Sequence, residues 1–182
     1  DGVLVDSEII ASKVEAEAYT EIGYEIDWMT MAERFAGATS LDIMKAIGEE
    51  MERPLQLSFL DEIQARIDER LSQELEIIPF AREVLVEFEE DCCICSNSSA
   101  DRLKLSLAKT GLADVAPPVY SSRDVGEKEP KPSPSVFLHA AKAFDVEPRN
   151  CMVLEDSTHG ITGALAAGMR VVGFTGASHT YP

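Results

Sequence analysis

Residues 151–161 read CMVLEDSTHGI, and the fold follows from how that stretch changes character halfway along. Cys151 to Leu154 form a short apolar run of strand type. Glu155 and Asp156 then set two carboxylates side by side, with a helix start just behind them. The pattern predicts a helix from Thr158 to Ala167, ended by Gly168, and a further strand at VVGF (171–174). An apolar strand, an amphipathic helix and a second apolar strand make a βαβ unit, which calls for a parallel sheet covered by helices. The same rhythm extends back to about residue 78. A helix carrying Val84, Leu85 and Phe88 leads to the strand CCIC (92–95), and a helix from Ser99 to Thr110 is stopped by Gly111. PVYSS (118–122) supplies a short strand, and Ser133–Pro134 opens another helix in the favoured cap-then-proline order. The expected fold class is α/β, a Rossmann-like doubly wound parallel sheet whose ligands bind at the carboxyl ends of the strands.

Residues 8 to about 77 have a different texture. Ile10, Val14, Ala18 and Ile22 recur at every fourth position before a stop at Gly23. Ser40 can cap a helix with Ile43, Met44, Ile47 and Met51, which Pro54 follows, and Leu60, Ile63, Ile67 and Leu71 mark a longer one. No convincing strand interrupts them, so this block reads as a small helical bundle.

Composition excludes several classes of function. The chain has 182 residues, 33 of them acidic and 16 basic, for a net charge of -17. Nucleic acid is disfavoured, because phosphate-backbone binding relies on clustered Lys and Arg, and anionic membrane surfaces are disfavoured for the same reason. No apolar run approaches the roughly 18 residues of a membrane span. The expectation is a soluble cytoplasmic protein, a monomer or weak homo-oligomer. Cys92, Cys93, Cys95 and Cys151 lack a second pair at metal-binding spacing, and free buried thiols in a reducing compartment are expected.

Three strand ends carry groups capable of chemistry. Ser96 and Asn97 follow CCIC, and Ser99 caps the next helix; small polar groups beside free helix N–H donors suit an anion, or they are ordinary caps. Lys131 stands between Pro130 and Pro132 just before a helix, which aims its side chain, although an isolated lysine is usually a solvated one. Lys128 has no such bracing. Glu155 and Asp156 are poorly placed for stability unless a cation joins them to other oxygens, and Mg2+ suits carboxylates with retained water. The alternative is a capping Asp beside a solvated Glu.

These stretches acquire meaning together with the opening residues DGVLVDSE (1–8). DGVLVDSE, CSNSS (95–99), KPSPSVF (131–137) and LEDSTHGI (154–161) resemble the four motifs of the haloacid dehalogenase-like hydrolases. They most resemble the phosphatase and β-phosphoglucomutase-type subgroup, and the likeness spans almost the whole chain. The resemblance implies an α/β core of residues 1–8 and 78–182 and a helical cap of residues 9–77. RFAGATS (34–40) is similar to the substrate-facing loop of that cap, which makes Arg34 and Gly37 candidate substrate contacts.

In this family the first motif is an Asp, any residue, then Asp-Gly. Asp1 matches the second Asp, the acid/base, so the nucleophilic Asp is expected two positions before residue 1, and a trimmed beginning is expected with it. The end, GFTGASHTYP, reads as trimmed too. A carboxylate attacking a phosphate dianion needs its repulsion offset. Mg2+ held by Asp156 and the backbone carbonyl of Asp1, with Glu155 acting directly or through water, would supply part of this, and Lys131 another part. Ser96, Asn97 and the helix amides behind it would hold phosphate oxygens. Asp1 would protonate the leaving alkoxide and then activate water.

The expected activity is hydrolysis of a small phosphorylated metabolite, with a sugar phosphate foremost. True dehalogenases do not keep an Asp at the Asp1 position. The mutases of this subgroup place a His where SEIIASK (7–13) has Ala11, and basic residues around the glycine where Ala36 and Ser40 stand. A β-phosphoglucomutase-type phosphomutase and a non-catalytic phosphometabolite-binding protein are the alternatives. A response-regulator receiver domain would carry its acid pair near the start and its Lys late, the reverse of the order here.

Overall fold

The structure, a computed structural model, describes residues 1–35, 38–88 and 91–178. The helical block consists of α1 (Glu8–Glu21), α2 (Trp28–Arg34), α3 (Ser40–Glu50) and α4 (Leu57–Glu74). The fourth-residue spacing delivers what it promises: Ile10, Val14, Ile47, Ile63, Ile67 and Leu71 are all buried in one cluster. Each such side chain contributes about 1.5–3 kcal/mol by leaving water. Gly23, at φ +95°, ends α1 in a conformation that only glycine adopts at little cost. Helix α2 has no four-residue periodicity to announce it. It begins because the Asp27 carboxylate accepts from the Met29 and Thr30 amides. Helix α3 is capped by the Thr39 side chain, one residue before the expected Ser40.

The chain enters this block and leaves it along paired segments. Val5 and Ile77 form an antiparallel bridge, flanked by bonds from the Asp6 amide to the Glu76 carbonyl and from the Ile78 amide to the Leu4 carbonyl.

After α5 (Ala81–Glu87) the α/β rhythm begins: β1 (Ile94–Ser96), α6 (Ala100–Lys109), β2 (Val119–Ser121), α7 (Ser135–Ala143), β3 (Met152–Glu155), α8 (Thr158–Ala166) and β4 (Arg170–Gly173). Strand β1 pairs in parallel with β2, and β3 with β4. The strands are thus parallel, as expected of the α/β class, and among the described residues they form two pairs. Strand β1 starts two residues later than CCIC suggests. Ser99 caps α6 through the Arg102 amide, and Gly111 follows at φ +70°. Helix α7 begins at Ser135 with Pro134 before it and no side-chain cap.

Helices α7 and α8 bury Val136, Phe137, Ala141 and Ala164 together with Val153 and Val171 of the β3–β4 pair. The alternate side chains Met152, Leu154 and Val172 are exposed, the period of two expected of strands. Helix α6 and the turn after it instead share their core with the helical block through Leu107 and Leu112. The four cysteines are free, and half-buried rather than buried. No helix among the described residues is long and apolar enough to cross a membrane.

Candidate active site

The C-terminal ends of β1 and β3 lie one lysine side chain apart. Lys131, only 8% exposed, comes from the loop before α7. Its Nζ donates to the Cys95 carbonyl at 2.9 Å and to Glu155 Oε1, and stands 5.0 Å over the Phe137 ring. Glu155, 5% exposed, uses its other oxygen to accept from the Ser157 amide at 3.1 Å and the Ser157 hydroxyl at 3.0 Å. A buried ion pair is close to neutral for stability, but removing one member is costly. The pair therefore serves mainly to hold both groups in place.

Asp1 reaches the same region. Its Oδ2 accepts from Ser96 Oγ at 2.9 Å and Ser98 Oγ at 2.7 Å, and its Oδ1 from Ser7 Oγ at 3.3 Å. Ser96 Oγ also accepts from the Ser98 amide at 3.1 Å. Asp156 completes the cluster from the start of the β3–α8 loop. Gly2, at φ +67°, is where it packs: a Cβ there would stand 1.8 Å from Asp156 Oδ2. Gly2→Ala is accordingly expected to push the Asp156 carboxylate away and to strain the backbone. The expected result is at least a hundredfold loss of turnover, read by steady-state kinetics.

Asp1, Ser96, Lys131, Glu155 and Asp156 thus meet at one edge. The bonds add roles to two of the expected residues. Glu155 holds Lys131 at one oxygen and Ser157 at the other. The Asn97 Oδ1 accepts from the Lys131 amide at 2.8 Å and the Ser122 hydroxyl at 3.0 Å, and its Nδ2 donates to the Lys131 carbonyl. Asn97 thereby clamps the lysine loop. Arg34 belongs to another neighbourhood, donating to Tyr24 Oη at 2.6 Å and pairing with Glu50 within the helical block. Gly37 lies outside the described residues, as do Ala36 and His179. Lys128 is exposed, at φ +59°.

Ser98, Ser7 and Asp6 were not legible as site residues. The run of serines in CSNSS hinted at more than a cap, since Ser98 precedes the capping Ser99. Asp6 accepts from the amide and hydroxyl of Ser178, tying the segment after β4 to the start of α1. His139 packs edge-on against Tyr120, with 5.2 Å between ring centres.

A hydrogen bond with Cys93, together with burial, pushes the Cys95 thiol far up. Burial also pushes the Glu15 carboxyl up to about 7, with Glu8 adding to the rise.

For Mg2+ the residues fit in a limited way. The missing Cβ of Gly2 makes a cradle for the Asp156 carboxylate beside the Asp1 main chain. No cluster of three or more His, Cys, Asp or Glu forms a complete cage among the described residues. One or two protein oxygens, with water and phosphate completing the shell, are the usual arrangement for this ion.

Comparison with known proteins agrees with this geometry. A solved haloacid dehalogenase-like protein of unknown function from Agrobacterium tumefaciens superposes with a TM-score of 0.90 at 50% identity, covering 100% of this chain and 82% of that one. A HAD family hydrolase from Deinococcus radiodurans, solved with bound phosphate and sodium, gives 0.78 at 29% identity, with coverage of 100% and 81%. The 6-phosphogluconate phosphatase of Escherichia coli K12 is 29% identical over 184 residues, 100% of this chain and 82% of its own length. The profile of the haloacid dehalogenase-like hydrolases matches residues 1–174. With that match over nearly the whole chain, and Asp1, Ser96, Lys131 and Asp156 of the four motifs meeting at one edge, the protein belongs to the haloacid dehalogenase-like hydrolase family.

Proposed function

We propose that the protein is a Mg2+-dependent phosphomonoester hydrolase acting on a small phosphorylated metabolite, with a sugar phosphate as the leading class. The observation that carries this reading is the convergence of Asp1, Ser96, the Lys131–Glu155 pair and Asp156 at the ends of β1 and β3. The names of the relatives point the same way: a 6-phosphogluconate phosphatase in Escherichia coli and a probable pseudouridine-5'-phosphatase in Drosophila melanogaster. Ala11, partly buried against the helical core, stands where a mutase has its His, which favours hydrolysis over phosphoryl relocation.

The attacking carboxylate is assigned to the second position before Asp1 in the parent sequence, and the reaction proceeds through an aspartyl-phosphate. An ammonium group has three N–H donors. Two of those on Lys131 go to Cys95 and Glu155, so the third is directed to a phosphoryl oxygen. Ser96 and Ser98 hold the Asp1 carboxyl and can turn their hydroxyls toward phosphate when it arrives. Asp1 gives its proton to the leaving alkoxide and takes one from the water that cleaves the acyl phosphate. The Asp156 carboxylate and the Asp1 carbonyl would hold Mg2+, which when bound offsets the negative charge of the transferring group. The helical block, residues 9–77, serves as a cap that closes over the leaving group, with Gly37 on its candidate substrate loop.

The test is phosphate release by the intact protein, native upstream sequence included, on a panel of sugar phosphates, nucleotides and phosphoglycolate. Turnover of at least one substrate in Mg2+, abolished by EDTA and restored by added metal, is the expected result. Failure to release phosphate from any of them with metal present would overturn the reading.

A further inference from the structure

We propose that Arg123, with Ser121 and Ser122 beside it, is a positioning residue that ties down the loop 96–98 and so aims its main-chain amides at the substrate's phosphate. This rests on the phosphate-binding part of the reading above and extends it to the end of β2.

Three consecutive carbonyls of that loop accept from three consecutive residues. The Ser96 carbonyl accepts from the Ser122 amide at 2.8 Å, the Asn97 carbonyl from Arg123 Nε at 3.0 Å, and the Ser98 carbonyl from Ser121 Oγ at 2.8 Å. The first bond continues the β1–β2 ladder. The other two are side-chain bonds made beyond its last pair, Ser96 with Ser121. The Ser121 hydroxyl also accepts from the Arg123 amide at 3.2 Å, which closes the set. Both serines are buried, at 3% and 1% exposed.

A trans peptide is planar, with its C=O and N–H on opposite sides. Turning the carbonyls of Ser96 and Asn97 toward β2 therefore turns the amides of Asn97 and Ser98 away from it. That is the side of Asp1: the Ser98 amide donates to Ser96 Oγ at 3.1 Å, and that hydroxyl donates to Asp1 Oδ2 at 2.9 Å. Successive amides fixed in this way make an anion site that needs no rearrangement when a phosphoryl group arrives. The same segment steadies Lys131. The Ser122 hydroxyl donates to Asn97 Oδ1 at 3.0 Å, and that oxygen accepts from the Lys131 amide at 2.8 Å.

The partner of Arg123 sets it apart from other arginines of the chain. Arg66, Arg70, Arg82 and Arg102 pair with carboxylates, as a chain with 33 acidic residues leads one to expect. Arg123 is exposed, yet its Nε is spent on a main-chain carbonyl of the phosphate loop. An exposed side chain can be replaced without opening the core.

The test measures binding of inorganic phosphate and of orthovanadate by calorimetry, for the intact protein in Mg2+, beside kcat/KM on a phosphate ester that it hydrolyses. Arg123→Ala is expected to weaken both anions and to lower kcat/KM by roughly tenfold to a hundredfold, the effect of a small misplacement. Its Tm should stay within about 2 °C of wild type. Arg123→Gln keeps an N–H donor where arginine carries Nε but has no charge, and it is expected to recover most of the loss. Unchanged anion binding in Arg123→Ala would overturn the proposal, as would a wild-type protein that binds neither anion. So would an Arg123→Gln variant as weak as Arg123→Ala, because the charge rather than the tether would then be what counts. Anion binding that follows the tether, in a protein that hydrolyses no ester, would support the tether and bring down the phosphatase reading.

Discussion

Lys131→Met is expected to abolish phosphatase activity and to destabilise the fold by about 3–5 kcal/mol. The methionine can fill the space above Phe137, so the cost is electrostatic. It leaves Glu155, 5% exposed, with a buried charge held by Ser157 alone. For a chain of this size the loss corresponds to a fall in Tm of roughly 10 °C, measurable by calorimetry. Turnover should drop by at least about 10²–10³-fold, the effect of removing one donor aimed at developing charge. The double variant Lys131→Met/Glu155→Gln separates the two roles. It should recover most of the stability, because no unpaired charge remains, and none of the activity. Recovery of activity in the double variant would mean that Lys131 only holds Glu155 and does not face the substrate.

Gly160→Ala is the second large effect expected. A Cβ at this position, in the first turn of α8, would stand 2.0 Å from Glu155 Cδ and 2.1 and 2.2 Å from its oxygens. A flexible neighbour could swing aside, but Glu155 is fastened at one oxygen by Lys131 and at the other by Ser157. Either α8 shifts away from β3 or the ion pair breaks. Overpacking of this kind costs about 1–3 kcal/mol, and the displaced lysine should lower turnover by roughly a hundredfold. Gly173→Ala is the control. Its Cβ would meet Ile161 Cδ1 at an ordinary 3.9 Å, and its effect on Tm should be small. Equal losses at the two positions would point to a general intolerance of added methyl groups rather than to the pinned carboxylate.

Much of the site was legible because its residues announce themselves locally. Ser99 caps α6 as its position before the apolar run requires, and Gly111 and Gly168 close their helices at positive φ. Glu155 and Asp156 were placed at a strand end by the apolar run before them. Lys131 was singled out by its flanking prolines, and the structure buries it against the acid of the next strand. What stayed hidden is the division of labour. Nothing local in Asn97 says that its amide will grip the Lys131 backbone, 34 residues away. Nothing local in Ser98 says that it will donate to Asp1, 97 residues away. Arg34 looked available to substrate, but Tyr24 and Glu50 engage it within its own block.

From the amino-acid order alone came the alternation of strand and helix, the helical insert and the residue types gathered at the strand ends. Each of these depends on periodicity and capping over a few consecutive residues, which a chain carries with it before it folds. Tertiary structure alone decided that Glu155 turns both oxygens inward while Asp156 lies against Gly2, and that Glu15 is buried beside Ser40 and Gln64. Adjacent carboxylates on one strand end differ little as sequence. They are told apart only when a lysine, a serine and a bare glycine backbone arrive from distant loops and leave each of them a different space.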